Sequence, residues 1–236
     1  METQTLNKKV CVITGASSGL GESLAREFAE RGGIVYFAAR RLKQLETIAS
    51  DLRAKGYDAM PYELDVTDPM RVKECAGHIV EMQGRIDVWV NNAGSEQKRD
   101  ILSLDADALY DITAVNYFGL VFGTQEAAKQ MKLTQTGDIV QILSTSAFTP
   151  RQNESAYCAA KAAAYLFSQS AQQEFKPHGI RVINVLPGGM NTEFFKKAGL
   201  TLPPQAMETA DVATLIADAL ETPRNINPEL RIYRNG

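Results

Sequence analysis

The sequence predicts an α/β domain: a doubly wound parallel sheet of about seven strands with helices on both faces. Three observations carry that expectation. Short apolar, β-branched runs alternate with longer helical patterns, as parallel strands joined by crossover helices require. The first run opens directly into a glycine-rich turn and a helix. No linker, low-complexity segment or repeat of about 20–50 residues interrupts the alternation, so residues 1–236 read as one domain.

The first strand, Lys9 to Thr14, leads into Gly15-Ala16-Ser17-Ser18-Gly19-Leu20-Gly21 and a helix that Gly32-Gly33 stops. In such a turn Gly15 permits a tight reversal, Gly19 lets backbone approach a pyrophosphate, and Gly21 allows the helix to pack close on the strand. The spacing is G-x-x-x-G-x-G, which departs from the general dinucleotide fingerprint G-x-G-x-x-G. A second strand, Ile34 to Ala39, ends at Arg40-Arg41, and the next acid is Glu46. Where a ribose 2′-hydroxyl would need a carboxylate, two guanidinium groups stand, and these suit a 2′-phosphate. NADP(H) is therefore expected over NAD(H), with Arg41 equally placed to solvate the following helix, Leu42 to Lys55. A third strand spans Tyr57 to Leu64. Asp65 follows it, suited either to an adenine amino group or to a turn, and Asp68 or Thr67 caps a helix opened by Pro69.

Ile86 to Val90 is the fourth strand. The small residues of Asn91-Asn92-Ala93-Gly94 after it let backbone run close to a ligand, with both amides equally able to hold that loop. A helix is expected from Asp105 to about Lys132, and Asn116 within it needs hydrogen-bond partners if buried. The buried strand Asp138 to Leu143 ends at Ser144, where open α/β sheets place ligands. Tyr157 and Lys161 follow at i, i+4 spacing on one helical face, an arrangement in which the ammonium favours the phenolate and lowers the tyrosine pKa. A sixth strand, Ile180 to Leu186, precedes Pro187-Gly188-Gly189-Met190-Asn191-Thr192. Residues 188–207 have little periodicity and read as a substrate loop or lid. A helix from Glu208 to Glu221 and a strand from Leu230 to Tyr233 complete the pattern.

Hydrophobic residues make up 44% and charged residues 22%, with a formal net charge of −3. No basic footprint for nucleic acid or an anionic membrane follows from this balance, and no apolar run approaches the ~18 residues that span a bilayer. The polar N-terminus leaves no room for a signal peptide before the first strand. Cys11, Cys75 and Cys158 include no C-x-x-C pair, and His78 and His178 are isolated, so no metal site and a reducing, cytoplasmic setting are expected.

Assembled in order, these motifs resemble the short-chain dehydrogenase/reductase family over essentially the whole chain. Thr14 to Gly21 matches its T-G-x-x-x-G-x-G motif, Asn91 to Gly94 its N-N-A-G, and Pro187-Gly188 its P-G. Asn116, Ser144, Tyr157 and Lys161 match its catalytic tetrad, and Arg40-Arg41 its NADP-preferring pattern. The resemblance implies a Rossmann fold and hydride transfer between NADPH and a carbonyl or secondary alcohol. Tyr157 would be general acid/base, Lys161 would lower its pKa and bind the nicotinamide ribose, Ser144 would polarise the substrate oxygen, and Asn116 would hold a relay water. Cofactor contacts are implied for Gly15, Ser17, Ser18, Gly19, Leu20, Gly21, Arg40, Arg41, Asp65, Val66, Asn92, Ala93, Gly94, Tyr157, Lys161, Pro187, Gly188, Met190 and Thr192. Ser95, Glu96, Phe148, Met190, Phe194 and Phe195 are the expected substrate walls, an apolar mix. A homodimer or homotetramer packed through the helices of Asn116 and Tyr157 is also implied. Two alternatives stay open. A 3-oxoacyl thioester reductase would use Lys98-Arg99 and Lys196-Lys197 toward an acidic carrier protein, and a dinucleotide-binding redox sensor would not turn over.

Overall fold

The computed structural model describes residues 6–96, 98–192 and 206–233. Seven strands form one parallel sheet: β1 (Val10–Thr14), β2 (Ile34–Ala39), β3 (Ala59–Glu63), β4 (Val88–Asn91), β5 (Gly137–Ile142), β6 (Ile180–Pro187) and β7 (Glu229–Ile232). Their spatial order is β3-β2-β1-β4-β5-β6-β7. The helices between them are α1 (Gly19–Glu30), α2 (Leu42–Ala54), α3 (Pro69–Gln83), α4 (Ala106–Thr113), α5 (Gly119–Thr134), α6 (Ser155–Phe175) and α7 (Thr209–Leu220).

Alternation along the strands divides the apolar side chains between two cores. On β1, Cys11 and Ile13 join Leu24, Phe28, Leu45, Leu52 and Ile216 beneath α1, α2 and α7. Val10 and Val12 point to the opposite face, against Val72, Ile79, Met131 and Ala171 of α3, α5 and α6. Both faces being covered explains why the strands are apolar runs and not alternating patterns. The chain reverses its direction of winding between β1 and β4, which pair directly. The C-terminal ends of those two strands mark the topological switch point, at which such sheets bind ligands.

Local chemistry accounts for the helix starts. Asp68 caps α3, its side chain accepting from the backbone N–H of Met70 and Arg71, with Pro69 in the first turn. Thr67 instead pairs with Asp65. The helix expected from Asp105 to Lys132 is interrupted: Ala114–Phe118 is a π turn between α4 and α5. The wider turn accompanies a side-chain intrusion, because the Asn116 amide donates to the Ile112 carbonyl at 2.9 Å.

Candidate active site

A cleft of about 540 Å³ lies over the C-terminal edge of the sheet. Its floor is the Gly15–Gly21 turn. Gly15 has φ +66, and a Cβ there would lie 2.6 Å from Cα of Ala93. A Cβ on Gly21 would meet the Gly15 carbonyl at 2.6 Å, so both positions demand glycine by contact. Thr14 and Asn92 stitch the turn to the next loop. The Asn92 side chain donates to the carbonyls of Thr14 (2.8 Å) and Gly15 (3.2 Å), while Thr14 Oγ1 accepts from the backbone of Asn92 and donates to Val90. Asn91 turns the other way and is buried. It accepts from Trp89 Nε1 and donates to Thr124 and Gln141, a role in the scaffold beneath the loop.

This cradle fits a phosphate-bearing dinucleotide. Ser18 occupies the N-cap of α1 without a side-chain cap, leaving first-turn N–H groups for an anion. The Arg41 guanidinium lies over the turn, donating to Ser17 Oγ at 2.8 Å and Ser18 Oγ at 2.7 Å. Of the two arrangements open to Arg41 in the sequence, it takes the one toward the glycine turn. Arg40 is exposed and also lines the cleft, as do Leu20, Val66, Ala93, Pro187 and Gly188. Asp65 uses one carboxylate oxygen to close an Asx turn with Thr67, so the turn reading of this residue holds. Thr192 reaches back to the cradle, 3.2 Å from where a Gly19 Cβ would stand.

Ser144, Tyr157 and Lys161 converge at the far end, each more than nine-tenths buried. Ser144 Oγ accepts from Ser146 N–H at 3.1 Å and hydrogen-bonds to the Tyr157 phenol. Lys161 donates to the Ile142 carbonyl at the end of β5 (3.0 Å), with Nζ 5.7 Å from the Tyr157 ring centroid. Asn116 closes the group from the π turn. Its Nδ2 donates to Ser95 O at 2.6 Å, and its Oδ1 lies 3.1 Å from where a Gly94 Cβ would stand. Both donors of this amide are spent on the carbonyls of Ser95 and Ile112. It therefore holds the Ser95 loop against the helix.

The electrostatics reverse one expectation. Burial pushes the Tyr157 phenol above its ordinary 10, the charges of Glu96 and Glu154 push the same way, and the Ser144 hydrogen bond opposes them. Burial brings Lys161 down from 10.5 to about 8, so the ammonium expected to lower the tyrosine is itself poorly tolerated. Glu96 is raised to about 7 by burial, by the Glu154 charge and by a hydrogen bond with Glu154.

One expected wall, Phe148, departs from the cleft. Phe148 is 42% exposed and packs edge-on against Tyr165 at 4.8 Å, under the Arg231 guanidinium at 4.9 Å. It is the residue after the short turn Thr145–Ala147, which aims it toward α6 and β7 and away from the cleft lining. Phe194, Phe195, Lys196 and Lys197 lie outside the described residues. Of the loop 188–207, the two described ends are tied together by a bridge between Met190 and Met207. Arg99 is taken up by an ion pair with Asp105, and Lys98 lines the cleft. Sequence reasoning missed Glu154 and Arg151, which also line it. Helical spacing held a signal for Glu154, one turn before Tyr157 at i, i+3. Among the described residues no cluster of His, Cys, Asp and Glu is arranged to hold a metal, and no helix is long and apolar enough to cross a membrane.

A family model for short chain dehydrogenases matches residues 9–202. The chain belongs to that family. A probable oxidoreductase of Mycobacterium bovis is 31% identical over 218 residues, covering 92% of this chain, which spans 37% of that relative's length. The 2,5-dichloro-2,5-cyclohexadiene-1,4-diol dehydrogenase of Sphingobium indicum is 33% identical over 184 residues, 78% of this chain and 74% of the relative. Among solved structures, an alcohol dehydrogenase from the archaeon Thermococcus sibiricus, complexed with 5-hydroxy-NADP, superposes with a TM-score of 0.89 at 27% identity. The match covers 97% of each chain.

Proposed function

We propose that this short-chain dehydrogenase is an NADP(H)-dependent oxidoreductase interconverting a carbonyl compound and a secondary alcohol. The observation that carries the reading is the convergence of Ser144, Tyr157 and Lys161 at one end of a cleft whose other end is the glycine cradle and Arg41. The nicotinamide cofactor, when bound, supplies or accepts the hydride. Gly15 to Gly21 and the N-terminus of α1 would hold its phosphates, and Arg41 with Arg40 its 2′-phosphate. Asp65 and Val66 would flank adenine, Asn92 to Gly94 the adjoining ribose, and Pro187 to Met190 with Thr192 the nicotinamide end. The T. sibiricus enzyme, bound to an NADP derivative, supports this choice of cofactor.

The chain's own residues then handle the proton. With its pKa raised, Tyr157 is a neutral phenol at ordinary pH, the form that protonates a carbonyl oxygen as general acid. Ser144, held from behind by Ser146 N–H and hydrogen-bonded to the Tyr157 phenol, would turn its hydroxyl to the same oxygen when substrate is bound. Lys161 supplies positive charge for the phenolate left behind. Asn116 keeps the Ser95 loop and Gly94 seated against Lys161.

The test is oxidation of NADPH and of NADH with a panel of ketones, keto acids and acetoacetyl thioesters, for wild type and Tyr157→Phe. General acids contribute about 10²–10⁴-fold, so Tyr157→Phe should lose at least ~100-fold while keeping NADPH affinity. Turnover confined to thioesters would select the 3-oxoacyl reductase, NADPH binding with no turnover would select a redox sensor, and a preference for NADH would refute the role of Arg41. We further propose that residues 1–236 form one domain with 188–207 as its substrate loop. A homodimer or homotetramer would pair through α4, the π turn and α6, where Tyr110 and Leu166 are exposed apolar side chains.

A further inference from the structure

The substrate end of the cleft carries a feature that its catalytic group does not use. Glu96, in the loop after β4, and Glu154, at the N-cap of α6, are 8% and 7% exposed, and both line the cleft beside Tyr157. Oε1 of Glu96 is buried without a donor. The two carboxyls are within hydrogen-bonding reach of each other. Carboxylates carry no donor, so the contact is attractive only when one of them holds a proton.

The charges facing the pair come from three elements. Arg151, in the loop before α6, stands 4.0 Å from Glu154 and also donates to Thr145 Oγ1, so its guanidinium is shared and half in solvent. Lys98 approaches Glu96 from the same loop. From α6 come Tyr157, which the pair's negative charge disfavours as phenolate, and Lys161, whose ammonium Glu96 favours. A desolvated pair at the cleft wall, bearing one shared proton and one negative charge and with one buried oxygen unpartnered, lacks a hydrogen-bond donor. It also repels an anion brought into the same space.

We propose that Glu96 and Glu154 form a polar substrate subsite, sharing one proton, that takes carbonyl substrates bearing a hydroxyl or ammonium donor close to the reacting carbon and excludes those bearing a carboxylate there. Phe148, one of the aromatic walls expected beside this space, points elsewhere. The subsite rests on the reductase reading above and adds the substrate's chemical class to it. A donor on the substrate, entering the cleft beside the two carboxyls, would supply what the pair lacks and hold the carbonyl toward Ser144 and Tyr157. The proton state of the pair sets the strength of the preference. Burial and the Glu154 charge raise Glu96 to about 7, so the pair gains negative charge as pH rises through neutrality. Selection against anions sharpens in the same range.

Two measurements test this. The first is an infrared pH titration of the cofactor-free protein, which needs no turnover. A carboxylic-acid C=O band that titrates near neutral pH and is lost in both Glu96→Gln and Glu154→Gln is expected. A band absent in the wild type, or unchanged in both variants, overturns the shared proton. The second compares kcat/KM at pH 6 and pH 8 for ketones of one size ending in methyl, hydroxymethyl, aminomethyl or carboxylate. A charge-assisted hydrogen bond predicts about a tenfold advantage for the donor-bearing ketones over methyl, and the carboxylate should fall below methyl, further at pH 8. Glu96→Gln should compress that ranking. Equal turnover of carboxylate and methyl ketones, or a ranking unmoved by Glu96→Gln, overturns the subsite while leaving the reductase reading intact. Wild-type inertness toward every ketone removes the reductase reading, and the subsite's substrate role falls with it.

Discussion

Lys161 is buried so completely that the fold bears a cost for keeping it charged. Its pKa is brought from 10.5 to about 8 by burial, with the nearby Glu96 charge opposing. At about 1.4 kcal/mol per pH unit, a fold that holds this ammonium at pH 7 is about 3 kcal/mol less stable than one with no charge there. Lys161→Met removes the charge and keeps an unbranched side chain of similar length. It also removes the donor to the Ile142 carbonyl, which costs about 1 kcal/mol. The balance predicts a cofactor-free variant about 2 kcal/mol more stable at pH 7, or ~4–8 °C higher in Tm for a chain of this size, with turnover abolished. The sign reverses a usual pattern. A lysine with a depressed folded-state pKa imposes its full penalty below about 8, and the penalty disappears as pH rises toward 10.5. Wild type should therefore gain on the variant between those values. Thermal melts of both proteins at pH 7 and pH 10, followed by circular dichroism, measure it. A variant that melts lower than wild type by the same margin at both pH values would refute the reasoning, because the hydrogen bond to Ile142 would then outweigh burial.

Arg41→Ala deletes the guanidinium seated on Ser17 and Ser18. NADPH affinity should fall about tenfold or more with NADH affinity nearly unchanged, measured by fluorescence titration, and an equal loss for both cofactors would count against a 2′-phosphate contact. Gly123→Ala places a Cβ 2.7 Å from Trp89 Nε1 and closer still to Asn91 Oδ1. That overpacking should destabilise by about 1–3 kcal/mol in urea unfolding, and an unchanged midpoint would show that the Asn91 network can shift. In sedimentation velocity at micromolar concentration the protein is expected as a dimer or tetramer, and Tyr110→Glu, on the exposed face of α4, should shift it toward monomer. A wild type sedimenting only as monomer removes the proposed pairing.

Much of this protein is legible in local pattern. The order of strands and helices follows from apolar periodicity, because each buried strand and each amphipathic helix must present apolar side chains at its own spacing. The glycine cradle, the Asp68 cap and the i, i+4 placing of Tyr157 and Lys161 are equally short-range, so residue spacing sufficed to locate them. Tertiary structure decided what depends on neighbours distant in sequence. The direct pairing of β1 with β4 brings Gly15 against Ala93, two residues far apart in sequence. Spacing alone gave Lys161 power to lower Tyr157, but desolvation depends on everything packed around both groups, and it drives the phenol up and the ammonium down. An aromatic residue soon after the strand-end Ser144 looks like a pocket wall until the backbone of Thr145–Ala147 turns Phe148 out onto Tyr165. Glu96 and Glu154 lie on separate elements with no shared pattern, and only the seating of the β4 loop against the start of α6 brings two ordinary acids together as a buried pair.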